Sequence, residues 1–162
     1  MIKKCFLILV ITIMFSIPTY SASTSSNGVK KISSYKSGYK KVLKAKKFEK
    51  KGKIEKANKL YKEAQSYFIK ANKENSIDPD TLNYLGFTTR KLGNLEDAEI
   101  YYLLGLEIDP NHNGINEYLG ELYIQTNRIN KAKERLEVLK TCNCKEFIKL
   151  KEIIDGKKES KY

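Results

Sequence analysis

The sequence predicts an all-α chain: an α-solenoid of about three antiparallel helix pairs followed by a C-terminal capping helix. Three observations carry this. Tyr84-Leu85-Gly86 recurs as Tyr118-Leu119-Gly120, an offset of 34 residues, and the same offset joins Gly93 to Asn127, Ala98 to Ala132 and Tyr102 to Leu136; such a period marks a repeat architecture. Between these landmarks, apolar residues return every three or four positions, the period of one helix face. Asp78-Pro79, Gly93-Asn94 and Asp109-Pro110 supply stop and start signals at intervals that suit paired helices. Composition agrees. Of 162 residues, 41% are apolar, 31% are charged and only 3 are Pro, which excludes collagen, a mucin-like stalk and a proline-rich linker. The Ile, Leu, Tyr and Phe residues are too plentiful and too periodic for a disordered chain.

The first element is an address. Met1-Ile2-Lys3-Lys4 is basic, and Cys5 to Ile17 has only Thr12 and Ser16 as polar members. Pro18 breaks this run, and Ser21-Ala22-Ser23 offers small residues for cleavage. This is the layout of a secretory signal peptide over residues 1–23. The run falls short of the roughly 20 apolar residues a spanning helix needs. The expectation is therefore an exported, periplasmic mature chain of about 140 residues, one domain in size, without a transmembrane span. The alternative is an anchor formed by an uncleaved signal. Cys5 precedes the apolar run, so lipoprotein processing is not expected.

Residues 24–34 read as a Ser-rich linker. The first helix pair, residues 38–78, aligns with the second at an offset of 41, which joins Ala45 to Gly86, Gly52 to Gly93, Ala57 to Ala98 and Tyr61 to Tyr102. The seven extra residues are two helical turns, so its second helix should be longer, with a stripe of Ile54, Ala57, Leu60, Tyr61, Ala64, Phe68 and Ala71. In the second pair, residues 79–112, Asp78 can cap and Pro79 fits the first helical position. Leu82, Leu85, Gly86 and Thr89 share a face; Gly93 ends that helix, and Asn94 with Asp97 caps the next. Ala98, Tyr101, Tyr102, Gly105 and Ile108 form the second stripe. The third pair, residues 113–143, repeats the scheme, with Asn127 at the turn. Small residues at Gly86/Gly120 and Ala98/Ala132 let helices approach closely. Phe147, Leu150, Ile153 and Ile154 give residues 145–156 one apolar face, suited to covering the open end of a stack. Residues 157–162 are a polar tail.

Charge is uneven. Thr24 to Asn75 carries 16 Lys/Arg against 4 Asp/Glu, Ser76 to Asn143 carries 7 against 11, and the whole chain has a formal charge of +12. A basic front half can be a solvated helix surface or a footprint for an anionic surface such as lipid headgroups or polysaccharide. Nucleic acid fits the charge but not the export, and no aromatic-interleaved platform for single strands is evident.

Little in the chain points to chemistry. His112 is the single histidine, and its place in Asn111-His112-Asn113 suits a turn between pairs. No phosphate loop, His-Glu-x-x-His or nucleophile elbow is present, so neither catalysis nor a cofactor is expected. Cys142 and Cys144 are the cysteines beyond the signal. They read as a loop disulfide or buried thiols, with a redox-active or metal-capturing pair as the alternative. A zinc site wants about four ligands, so no metal is expected.

Leu82, Leu85, Gly86, Gly93, Ala98, Tyr102, Gly105 and Pro110, with Leu119, Gly120, Tyr123, Ala132 and Leu136 in the next unit, resemble the tetratricopeptide repeat (TPR) motif. Thr89 stands where Tyr is usual, Gly105 where Ala is usual and Cys144 where Pro is usual. The whole arrangement resembles small exported TPR proteins of alphaproteobacteria. The resemblance implies a protein- or peptide-binding scaffold whose concave groove is lined by the first helix of each pair. Carried over, the groove positions are Asn83, Phe87, Arg90 and Lys91, then Glu117, Glu121, Ile124 and Gln125, with Val42, Lys46 and Glu49 in the first unit. Phe87 lies opposite the usual core face, so it is either a binding anchor or a packing contact with the neighbouring unit. On the anchor reading, Phe87→Ala and Arg90→Ala weaken capture without unfolding the chain. The Lys/Asn set that clamps C-terminal carboxylates in chaperone-binding TPRs is unmatched, because Val42 holds one expected Lys position.

Overall fold

The computed structural model describes residues 33–158. The expected signal peptide, nearly all of the linker and the last four residues of the tail lie outside the described residues. Seven helices follow one another: α1 (Ser34–Glu49), α2 (Ile54–Glu74), α3 (Pro79–Lys91), α4 (Leu95–Ile108), α5 (Asn113–Gln125), α6 (Ile129–Leu139) and α7 (Lys145–Ile154), with no strand among the described residues. α1 packs on α2, α3 on α4 and α5 on α6; α2 then meets α3, α4 meets α5, and α7 lies against both α5 and α6. Stacked pairs of this kind bury a continuous core that no single pair could make.

The local signals act where they stand in the chain. Asp78 accepts from the Asp80 amide, with Pro79 at the first helical position. The Asn94 side chain accepts from the Asp97 amide at 3.1 Å and donates to its carboxylate at 2.6 Å, a reciprocal cap. Gly52, Gly93 and Asn127 end α1, α3 and α5 with positive φ, at 68°, 93° and 58°. The length difference inferred from the offset is present too: α2 has 21 residues and α4 has 14.

Other details differ. α1 starts at Ser34, not near residue 38, because the Ser33 hydroxyl caps the Lys36 amide and the buried Ser34 hydroxyl donates to Glu74. Asp109-Pro110 does not open α5. Asp109 closes α4, and the helix begins at Asn113 with the His112 ring Nδ1 accepting from the Ile115 amide at 3.1 Å. Ile54 and Ile108 are 51% and 41% exposed; each ends its helix, where the stripe runs past the neighbouring helix.

Two core clusters result. The first gathers Val42, Leu60, Tyr61, Phe68, Leu85 and Phe87 between the first two pairs; the second gathers Tyr102, Ile115, Leu119, Leu122 and Tyr123 between the second and third. Tyr118 touches both. Glycines admit the large side chains. A Cβ on Gly86 would sit 2.5 Å from the Tyr102 ring, and one on Gly120 would sit 2.5 Å from Leu150. The first contact joins paired helices, as the small-residue pattern implies. The second does not: it seats the capping helix α7. Gly105, which departs from the motif's Ala, has its Cβ space filled by Ile115.

This packing makes Gly86→Ala a sharp test. Helix propensity favours Ala by about 1 kcal/mol, whereas a methyl forced against a buried ring costs about 1–3 kcal/mol. Tyr102 is wholly buried and cannot swing aside. The expected net result is a lower thermal midpoint in a melting experiment monitored by circular dichroism.

Candidate functional site

The first helices of the three pairs, α1, α3 and α5, line up with α7 around a concavity of about 560 Å³. α1 contributes Lys46 and Glu49, with Lys50 just past its end; α3 contributes Phe87 and Lys91; α5 contributes Glu117, Tyr118 and Glu121; α7 contributes Lys149 and Ile153, and Lys158 follows it. α7 thus stands where the first helix of a fourth pair would stand. Leu150, one residue past Lys149, packs under Gly120, so the same turn that anchors α7 turns Lys149 into the concavity.

The floor is aromatic. Phe87 is 0% exposed; its ring meets Tyr61 edge-on at 5.8 Å and lies 5.1 Å from Tyr118. The Lys46 ammonium sits over it, 4.4 Å from the ring centre, and donates to the Tyr118 hydroxyl at 3.4 Å. Among the described residues no carboxylate lies within ion-pair distance of Lys46. Burial lowers its pKa, and the like charge of Lys149 adds to this.

The walls are paired charges. Lys91 meets Glu49 at 2.6 Å, and Glu49 also accepts from the Tyr61 hydroxyl at 2.9 Å. Lys149 meets Glu117 at 2.9 Å. Burial raises the Glu117 carboxyl, against the pull of Lys149. Burial works to lower Lys149, and its bond to Glu117 overrides this and holds it up. Burial pushes Glu121 up to about 7, although Arg90 nearby favours its charged form. The site is therefore a lysine-rich depression over an aromatic floor, with its carboxylates engaged.

The structure sorts the residues inferred from the sequence. Phe87, Lys91, Glu117 and Glu121 border the concavity, as do Lys46 and Glu49. Phe87 is not an exposed anchor: it packs between units and Lys46 covers its face. Arg90 is buried and does not line the groove. Its Nε donates to Gln125 at 2.9 Å and its guanidinium to the Tyr118 carbonyl at 3.2 Å, with the Glu121 carboxylate 3.5 Å away. It ties α3 to α5, and Gln125 is turned toward Arg90 by that bond. Asn83 is buried under the start of α5, where a Cβ on Gly114 would lie 2.7 Å from its amide nitrogen. Ile124 packs on the second core, and Val42 is in the first. Tyr118, Lys149 and Ile153 went unassigned to the groove. Tyr118 reads as part of the core motif, and a lysine on a capping helix reads as solvated; placing α7 as a fourth first helix is what brings the last two in. The Cys142 and Cys144 sulfurs are bonded to each other. Among the described residues no group of acidic, His or Cys side chains could hold a metal, and no helix is long and apolar enough to cross a membrane.

A family model for the tetratricopeptide repeat matches residues 80–112, the α3–α4 pair with the turn after it. No curated protein matches the chain by sequence. Among solved structures, the chain is similar to the Yersinia enterocolitica type III secretion translocator chaperone SycD, with a TM-score of 0.52 and 18% identity over 77% of this chain and 85% of that one. It is also similar to PcrH in complex with the chaperone binding region of PopD, with a TM-score of 0.52 and 15% identity over 73% and 88%. The described residues thus fold as a TPR-like helical solenoid.

Proposed function

We propose that the chain is an exported TPR scaffold that binds a segment of another protein in the concavity between α1, α3, α5 and α7, without catalysis. One observation carries the reading: a depression of about 560 Å³ whose aromatic floor is topped by Lys46, a half-buried ammonium in direct ion-pair contact with no carboxylate among the described residues. Such a site offers half-buried apolar surface at Tyr118 and Ile153 and a positive charge at Lys46 to an incoming side chain, while the paired walls fix its shape. The similarity to PcrH, solved with a segment of PopD, supports a segment as the ligand. Export rests on the character of residues 1–23.

A second reading has its own observation. Twelve lysines between Lys36 and Lys73 are exposed, and none is within ion-pair distance of a carboxylate among the described residues. That surface suits an anionic lipid or polysaccharide. One experiment separates the two. A photo-crosslinking residue at Lys50 or Ile153, on the rim, should trap a discrete protein segment in cells, and one at Ile100, exposed on α4, should not. When cell lysate is adjusted to 0.5 M salt before irradiation, the rim crosslink should still form, whereas contacts between exposed charges are screened. Equal trapping at both places would remove the groove from the account.

A further inference from the structure

We propose that Cys142-Asn143-Cys144 is a thiol–disulfide exchange site in which an incoming thiolate attacks Cys142 and Cys144 is the leaving sulfur. The two sulfurs are bonded, and neither residue is buried. What sets them apart is their position between two helix ends. Cys142 stands three residues past Leu139, the last residue of α6, and its amide bonds to the Leu139 carbonyl at 3.2 Å, which ties it to the carbonyl end of that helix. Cys144 is the N-cap of α7, a ten-residue helix whose first turn receives no side-chain cap. A thiolate released there meets orphan amides and the positive end of the dipole; one released at Cys142 meets the negative end of α6. The better-stabilised thiolate leaves faster, so the sulfur attacked is the other one.

The nearby charges are balanced on both sides: Lys140 pairs with Glu137 at 2.6 Å beside Cys142, and Lys145 pairs with Glu146 at 3.8 Å beside Cys144, so the helix ends set the difference between the two sulfurs. Asn143 takes the left-handed conformation, φ 47°, which Asn tolerates better than most residues, and this lets the chain reverse between the two cysteines.

The co-reactant is a low-molecular-weight thiol, and the steps balance. The thiolate RS⁻ bonds to Cys142 Sγ as the Cys142–Cys144 bond breaks, and Cys144 departs with the electron pair. A second RS⁻ attacks the R sulfur of the mixed disulfide, giving RSSR and the Cys142 thiolate, which takes a proton. Two thiols are oxidised to one disulfide, and the protein disulfide is reduced to two thiols.

Glutathione tests this in the full chain. Reduction of the wild-type protein in millimolar glutathione, followed by alkylation and intact mass, should yield both thiols within minutes while circular dichroism stays helical. In single variants, Cys142→Ser should alkylate with iodoacetamide at pH 6 about tenfold faster than Cys144→Ser, since only its remaining thiol has a helix N-terminus to favour the thiolate. With oxidised glutathione, Cys144→Ser should hold a stable mixed disulfide on Cys142, while Cys142→Ser should shed its adduct readily to added thiol. A wild-type disulfide that survives hours in excess glutathione while folded would overturn the exchange. Equal or reversed alkylation rates would overturn the assignment of leaving sulfur. Because the wild-type measurement needs no substitution, a variant that misfolds does not leave the proposal standing by default.

Discussion

Phe87→Ala should unfold much of the array before it tells anything about binding. The expected loss is about 3–5 kcal/mol, a large share of the roughly 5–15 kcal/mol that stabilises an ordinary domain. The ring is fully buried, joins Tyr61 to Tyr118 and is roofed by Lys46. Its removal opens a cavity between the first and second pairs and strips Lys46 of its aromatic partner. Urea denaturation followed by circular dichroism measures the loss. A variant with a wild-type midpoint would mean that the Phe87 ring contributes little to the packing between the first two pairs. The milder Phe87→Leu keeps most of the volume and suits binding studies better, because volume-conserving swaps cost less, typically under about 1.5 kcal/mol.

Arg90→Met should be equally severe and, unlike Phe87→Ala, sensitive to pH. The Met side chain keeps the stem's packing and deletes the charge, leaving Glu121 buried beside Glu117. Breaking a buried pair in this way costs about 3–5 kcal/mol. Burial raises Glu121 to about 7 in the native chain even with Arg90 present, above its unfolded value of about 4.3. Between those two values the folded state holds a proton that the unfolded state has released. The contribution is therefore full below the unfolded value and is lost as pH rises through the folded one. Without Arg90 the folded value moves higher still, so the variant should be hurt more at pH 8 than at pH 5. Glu121→Gln should flatten the wild-type profile over that window, and the difference between the two urea series isolates this group from the other carboxylates. Identical slopes for wild type and Glu121→Gln would show that Glu121 titrates as an exposed acid.

The helices were readable because each rests on local chemistry. Gly93 and Asn127 need positive φ, Asn94 and Asp97 cap each other, and the seven extra residues of the first unit could go only into whole turns. The groove was less readable because it depends on which face of α3 and α5 is spare, and the side chains there do not stay on one level. Arg90 is long enough to turn inward and bridge to Tyr118 and Gln125, so a residue that the repeat register assigns to the lining becomes a tie between helices. Phe87 was ambiguous for the opposite reason: its bulk suits either role, and what decides is Lys46, a full repeat away in the chain. α7 was legible as an amphipathic cap, yet nothing in its own residues says that Leu150 will use the notch at Gly120. That contact depends on the length of the loop through Cys142 and Cys144.

The seating of α7 also gives the molecule a gauge. Four helices stand side by side around the depression, so its span is about three interaxial steps of 8–10 Å, roughly 25–30 Å. An extended chain covers that distance with about eight residues. Leu150 fills the notch at Gly120, so α7 is the last of these helices and sets the far end of that span. On the proposed function, a bound segment longer than this would run on past α1 and its exposed lysines, where its charge would matter as much as its fit below.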